Sequence, residues 1–324
     1  MDLQEFLAEW HNASPTLLVH TSGSTGAPKP LRVEKRRMEA SARITCSFLG
    51  LHAGDTALLC LPLDYIAGKM MVVRSLVCGL RLVSVEPTGH PLADSLVGAD
   101  APPCFAAMVP MQVWNSLQVA AERERLMQIR HLIIGGGAID DGLAAALAAF
   151  PNHVWSTYGM TETLSHIALR RLSGPDASEW YTPFEGVGLS LTEDGCLVID
   201  APAVHDGLLV TNDIAEMNAG GGFRILGRRD NVICSGGLKI QAEQVERLLR
   251  PHLRVPYIIT KRSDAKFGEA VVLLTEGDTK AAQAVCQRVL PPYWQPRHYL
   301  HVDQIPLTAT GKPARKEAER LQFL

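Results

Sequence analysis

The sequence predicts an α/β fold with two parts: a large N-terminal domain of helix-covered, mainly parallel sheets carrying a β-rich subdomain, and a small α+β C-terminal domain. Three observations lead there. Between residues 16 and 150, short β-branched or leucine-rich runs alternate with helical patterns, the signature of parallel strands covered on both faces. From residue 166 to 226 the helical periods vanish, and short strands separated by Gly, Asp and Pro turns take over. From about residue 231 helices return around two apolar runs.

The elements follow in order. Residues 16–22, 56–61, 80–85, 105–109 and 131–134 read as strands, and residues 34–49, 67–78, 111–117, 122–129 and 140–150 as the helices between them. The second stretch holds strands at 166–171, 196–200, 207–210 and 223–226, an antiparallel or barrel-like appendage to the first sheet. The last has helices at 242–249 and 280–290 around strands at 257–261 and 270–275. The expected boundary divides the chain into 1–229 and 230–324.

Composition narrows the function. With 324 residues, 47% of them hydrophobic, the chain can bury a substantial core. Its net charge is -3 and its basic residues are scattered, so no electrostatic footprint for nucleic acid or an anionic membrane is present. The longest apolar stretch, residues 70–85, is interrupted by Arg74 and Arg81, which argues against a membrane span. Seven cysteines, odd in number and never in a C-x-x-C pair, argue against a disulfide framework or a zinc site. Acidic Asp2, Glu5 and Glu9 stand where a secretory signal would be basic. The expectation is a reduced, cytoplasmic protein with small-molecule partners, with a homodimer left open.

The most specific segment runs from His20 through Thr21, Ser22, Gly23, Ser24, Thr25 and Gly26 to Lys29. Gly23 and Gly26 let backbone N–H groups turn inward; the hydroxyls of Thr21, Ser22, Ser24 and Thr25 can donate hydrogen bonds; Lys29 adds a point charge. This is what a polyphosphate requires, although the spacing is not that of a Walker A loop. An ordinary Ser/Gly/Thr turn with an accidental lysine is the bland alternative.

This loop resembles the T-S-G-[ST]-T-G-x-P-K signature of the adenylate-forming superfamily of acyl-CoA synthetases, peptide-synthetase adenylation domains and luciferases. Further segments resemble its motifs in the right order: Tyr158-Gly-Met-Thr-Glu-Thr163, Thr211-Asn-Asp213, Gly227-Arg-Arg-Asp230, Ser235-Gly-Gly-Leu-Lys-Ile240 and Pro306-Leu-Thr-Ala-Thr-Gly-Lys312. The resemblance spans about residues 17–316 and implies ATP, Mg²⁺ and coenzyme A as reactants and cofactor. Within the superfamily the chain is most similar to o-succinylbenzoate–CoA ligases of menaquinone biosynthesis, through Ser165 and His166 beyond the glutamate.

The resemblance implies roles residue by residue. Glu162 would hold Mg²⁺, a hard ion that prefers oxygen ligands, with Thr161 beside it near the phosphates. Asp213 would accept the ribose hydroxyls, and Arg228 would be a second ribose or phosphate contact. Gly135, Gly136 and Gly137 would admit the adenine, and Tyr158, followed by Gly159, would stack beneath it. Lys312 would bridge the acyl carboxylate and the α-phosphate. Asp230 would be the hinge on which a mobile small domain turns, and Gly236 and Gly237 would leave room for the pantetheine arm of CoA, with Lys239 near it. For the acid, the sequence points to Tyr65, Lys69, Ser165 and His166. Lys69 and Arg74 do not share a helix face, so one of them at most is expected in the acyl pocket, and Lys69 is the expected one. Two departures stand out: Asn212 replaces the usual glycine of T-G-D, and the phosphate loop is reached by His20, which implies a shortened first domain.

Overall fold

The computed structural model describes residues 1–20, 30–307 and 313–321. Helix α1 (Leu3–His11) is started by a capping box in which Asp2 accepts from the Glu5 N–H and Glu5 reaches back to the Asp2 N–H. Its apolar side buries Phe6 and Trp10. Strands β1 (Thr16–His20) and β2 (Pro30–Glu34) form an antiparallel ribbon, so the expected phosphate loop, residues 21–29, connects two paired strands and lies outside the described residues. The sequence pattern misses β2 because it opens on a proline and alternates Leu-Arg-Val-Glu, a charged edge strand rather than an apolar run. Helix α2 (Lys35–Leu49) follows directly.

The main sheet then assembles by crossovers: β3 (Thr56–Leu59), α3 (Ile66–Cys78), β4 (Arg81–Ser84), β5 (Phe105–Met108), α4 (Pro110–Gln118), α5 (Ala120–Gln128), β6 (His131–Ile134), α6 (Asp141–Ala148) and β7 (His153–Gly159). Strands β8 (His166–Arg171) and β9 (Thr182–Pro183) complete it. The strand order is β4-β3-β5-β6-β7-β8-β9, parallel through β7 and antiparallel beyond.

Alternation along each strand splits the core in two. Ala57, Leu59, Phe105, Ala107 and Ile133 face one cluster with α1, α2 and α3, whereas Leu58, Cys60, Ala106, Met108, Leu132 and Ile134 face the other with α4, α5 and α6. Both faces are therefore covered by helices, as the sequence predicts, and the strand interiors are apolar on both sides.

The β-rich stretch is an antiparallel sheet of β10 (Gly188–Leu191), β11 (Cys196–Asp200), β12 (Leu208–Met217) and β13 (Phe223–Arg228), in that order. The remaining residues form β14 (Val232–Ser235), β15 (Leu238–Gln241), α7 (Ala242–Leu249), β16 (Tyr257–Asp264), β17 (Gly268–Thr275), α8 (Thr279–Val289), β18 (His298–His301) and α9 (Arg315–Leu321). Their sheet, with β18 pairing parallel to β17, has its own core: Ile233, Ile240, Val245, Leu249, Ile259, Val271, Leu273 and Cys286 on one side, and Ile258, Val272, Leu274 and Ala318 on the other. Among the described residues no helix is long and apolar enough to cross a membrane.

Candidate active site

In a mostly parallel sheet, ligands gather beyond the carboxyl ends of the strands, and the expected residues of the main sheet stand there. After β6 comes Gly135, where a Cβ would lie 2.4 Å from Thr157 Oγ1, so a larger residue would have to displace the Thr157 side chain on β7. Gly136 adopts φ +78°, and Gly137 follows beside Pro110. At the end of β7, Tyr158 is 9% exposed and donates its hydroxyl to Asp213 Oδ2 at 2.8 Å. The other oxygen, Asp213 Oδ1, accepts from Arg228 Nη1 at 3.1 Å. One carboxylate from β12 thus joins the β7 tyrosine to the β13 arginine. Burial, reinforced by the Asp213 charge, pushes the Tyr158 phenol well above its ordinary range, so it is held as a hydrogen-bond donor.

A bulge between Tyr158 and Gly159 ends the pairing with β8; a Cβ at Gly159 would come within 2.2 Å of the Ser165 carbonyl oxygen. A short 3₁₀ turn, Thr161–Thr163, follows. Thr161 and Thr163 are buried, and Leu164 is the one non-glycine among the described residues with positive φ, at 65°. That conformation strains a leucine by about 1–3 kcal/mol, and Leu164 is held in it by burial at 2% exposure. The His205 ring donates from Nδ1 to the Glu162 carbonyl at 3.2 Å. The Glu162 side chain is half-buried and makes no ion pair among the described residues.

Directly after this turn lies a second cluster. Arg74 on α3 is 2% exposed and donates from Nη2 to Ser165 Oγ at 2.6 Å and to Thr45 Oγ1 at 3.4 Å. Ser165 Oγ is 3.1 Å from His166 Nδ1, and His166 Nε2 is 3.1 Å from Thr45 Oγ1. Arg74 Nε is buried without a hydrogen-bond partner, and no described carboxylate pairs with the guanidinium. Burial pushes Arg74 down to about 10, so it stays charged at neutral pH. Burial, and then the Arg74 charge, holds His166 well below its ordinary range and keeps it neutral. A mainly apolar cavity of about 150 Å³ adjoins His166, walled by Ile44, Phe184, Val187 and Val204.

Of the two α3 cations, the sequence points to Lys69 for the acyl pocket. The structure brings Arg74 to Ser165 and His166; Lys69, 3% exposed, lies instead 3.2 Å from Met1 Sδ and 5.2 Å from the Phe6 ring centroid. Tyr65 caps the start of α3 and is 39% exposed. The signal for Arg74 was its place inside an apolar run, Met70 to Leu76, where a lone arginine must be buried. Thr45 and His205 carried no such signal.

Asp230 is exposed, with Arg228 Nη2 3.5 Å away. The unusual Asn212 accepts from Arg229 Nη2 at 2.7 Å and donates to Asp230 Oδ2 at 3.4 Å. Gly236 and Gly237, at φ 59° and 85°, form the two-residue turn of the β14–β15 hairpin. Lys239 on that hairpin lies 3.6 Å from Asp194. Lys312 lies outside the described residues, between Leu307 and Pro313, which pair in an isolated antiparallel bridge. Three residues further on, Arg315 makes a two-pronged ion pair with Glu246, Nη1 to Oε1 and Nη2 to Oε2, each at 2.7 Å.

Fold and strand-end site together define an adenylate-forming enzyme: the model of the AMP-binding enzyme family matches residues 4–207, and the chain belongs to that family. Its relatives then point to a particular branch. It is 28% identical over 318 residues to 2-succinylbenzoate–CoA ligase of Salmonella typhimurium, covering 91% of this chain and 66% of that one. To the enzyme of the same name from Geobacillus kaustophilus it is 27% identical over 340 residues, covering 94% and 69%. The chain thus spans about two thirds of the length of these curated relatives. A crystal structure of an acyl-CoA synthetase (AMP-forming)/AMP-acid ligase II-like protein from Dyadobacter fermentans matches at nearly full length, with 33% identity, a TM-score of 0.65, and coverage of 99% of this chain and 93% of that one. O-succinylbenzoate coenzyme A synthetase from Bacillus subtilis, in complex with its acyl-adenylate intermediate, shares the fold with a TM-score of 0.78 at 23% identity, over 93% of this chain and 68% of that one.

Proposed function

We propose that this chain is an ATP-dependent acid–CoA ligase that first adenylates a carboxylate and then passes the acyl group to the CoA thiol, with o-succinylbenzoate as its acid. The observation that carries the reading is a juxtaposition. The nucleotide-side trio of Tyr158, Asp213 and Arg228 and the uncompensated cation Arg74 are tied to the two ends of one turn, residues 158–166. An acid that keeps a second carboxylate after activation needs such a cation, because a buried charge without a partner costs several kcal/mol unless a ligand supplies one.

In the first half-reaction, Asp213 and Arg228 hold the ribose, and Gly135 and Gly136 open the edge of the sheet to the adenine. The loop of Thr21 to Lys29 grips the phosphates. Glu162 fits Mg²⁺: among the described residues it is a half-buried carboxylate with no ion pair, and no cluster of three His, Cys, Asp or Glu side chains occurs there. A single carboxylate, completed by phosphate oxygens and water, is the coordination this ion favours, and when bound it offsets negative charge on the phosphates. Glu162 would ligate it, with Thr161 alongside.

Lys312, carried by residues 230–324, approaches the α-phosphate, and rotation about Asp230 then brings Gly236 and Gly237 to the site for thioester formation. Separate cores for residues 6–223 and 233–318 support that division. Free cysteines at all seven positions support a cytoplasmic setting.

The test is a panel of carboxylic acids, o-succinylbenzoate included, assayed for AMP release with and without CoA. A soluble CoA thioester is expected only with CoA present. Absence of acid-dependent pyrophosphate exchange into ATP would overturn the proposal, and AMP release without a soluble thioester would redirect it to a carrier protein as acceptor. Lys312→Ala is expected to abolish adenylation while sparing thioester formation from preformed acyl-adenylate.

A further inference from the structure

The proton count in the buried cluster fixes its direction. Thr45 Oγ1 lies 3.1 Å from the Ser41 carbonyl, which can only accept, so the single hydroxyl proton of Thr45 goes there. Thr45 Oγ1 therefore meets His166 Nε2 and Arg74 Nη2 as an acceptor, and His166 carries its proton on Nε2. That leaves Nδ1 as an acceptor for the Ser165 hydroxyl proton, and the Ser165 oxygen then turns a lone pair to Arg74 Nη2 at 2.6 Å. The four bonds then run in one direction: Arg74 to Ser165, Ser165 to His166, His166 to Thr45, Thr45 to the helix carbonyl.

Each acceptor in this chain is uncharged. Arg74 is thus oriented without being neutralised, quite unlike Arg228, which two carboxylates flank. Its Nε is buried and has no partner among the described residues. Thr45 is 0% exposed and His166 7%, so little of either side chain meets bulk solvent.

We infer that Thr45 and His166, acting through Ser165, are positioning and specificity-determining residues: a one-way chain of neutral hydrogen bonds that aims Arg74 at the second anionic group of a dicarboxylic acid. The inference rests on the acid–CoA ligase reading above and deepens it. Losing one buried hydrogen bond of this kind is close to a tenfold effect.

Two measurements test it. In protein labelled with ¹⁵N-histidine, the His166 ring is identified by its loss in His166→Gln; at pH 7.5 it is expected as the Nε2–H tautomer. Thr45→Val should populate the Nδ1–H form, and Thr45→Ser should restore the original. An Nδ1–H ring in the unmodified protein overturns the chain directly, whatever the enzyme's substrate. The second measurement is the ratio of kcat/KM for o-succinylbenzoate to that for a benzoylated acid of the same length lacking the ring carboxylate. Thr45→Val and His166→Leu should lower this ratio about tenfold, the loss entering through KM for the acid rather than kcat, and Thr45→Ser should recover it. If Thr45→Val leaves the ratio intact while Arg74→Leu collapses it, the positioning chain falls and the ligase reading stands. If Arg74→Leu also leaves it intact, Arg74 does not read the acid, and the chain's role falls with it.

Discussion

Two arginines in this molecule live under opposite electrostatic regimes. Arg228, at the end of β13, is flanked by Asp213 and Asp230 at 3.1 and 3.5 Å, with its side chain 35% exposed. Arg74, on α3, is buried among hydroxyls and a neutral imidazole. The first has its charge already matched, so what it offers a ligand is shape and donor direction. The second holds an unmatched charge in a low-dielectric seam, where a ligand anion would feel it strongly. Residue type alone would not distinguish them; their partners do.

The strongest way to break that contrast is Arg74→Leu. Its kcat/KM for o-succinylbenzoate should drop about 10³-fold, roughly 4 kcal/mol for a desolvated charge contact. An acid without the second carboxylate should lose far less; equal losses for both acids would erase the distinction. A third arginine sharpens it from the other side. Arg315 and Glu246 are 14% and 13% exposed and fully paired, so Arg315→Leu strands a buried carboxylate and should cost about 3 kcal/mol of stability, read from urea unfolding. By the same logic Arg74→Leu strands no carboxylate and should cost much less. Asp213→Asn, which weakens the grip on both Tyr158 and Arg228, should raise KM for ATP about tenfold, worth about 1.4 kcal/mol.

The smallest effect concerns histidines. At the opposite end of the strands His131 stacks on His153, their ring centroids 4.9 Å apart, and burial pushes His131 down to about 4 from an ordinary 6.5. Because the folded chain resists this proton more than the unfolded one, the stabilisation is complete above pH 6.5 and drains away as pH falls toward 4. Urea midpoints at pH 7 and pH 5 should differ in that direction, and His131→Phe should narrow the gap.

The strand–helix alternation was readable because β3, β5 and β6 are apolar on both faces, a pattern that burial in a parallel sheet imposes. Strands β2 and β18 escaped notice because each is short and broken by polar or charged residues, Arg32 and Glu34 in β2 and His298 and His301 in β18. Motif spacing singled out Tyr158, Asp213 and Arg228, which the structure brings together through one carboxylate. Arg74 could be seen but not chosen: helical spacing says which α3 residues share a face, not which face meets Ser165. Thr45 was invisible, because an i to i−4 hydroxyl bond within a helix leaves no periodic trace.

The leucine at position 164 has one more consequence. Under the proposed function Glu162 would face phosphate and Ser165 the acid, yet only Thr163 and Leu164 separate them, and Leu164 is held at φ 65°. A segment pinned in so narrow a well has little slack, so the backbone spacing between Glu162 and Ser165 is fixed. Glycine at that place would relieve the strain and loosen that spacing.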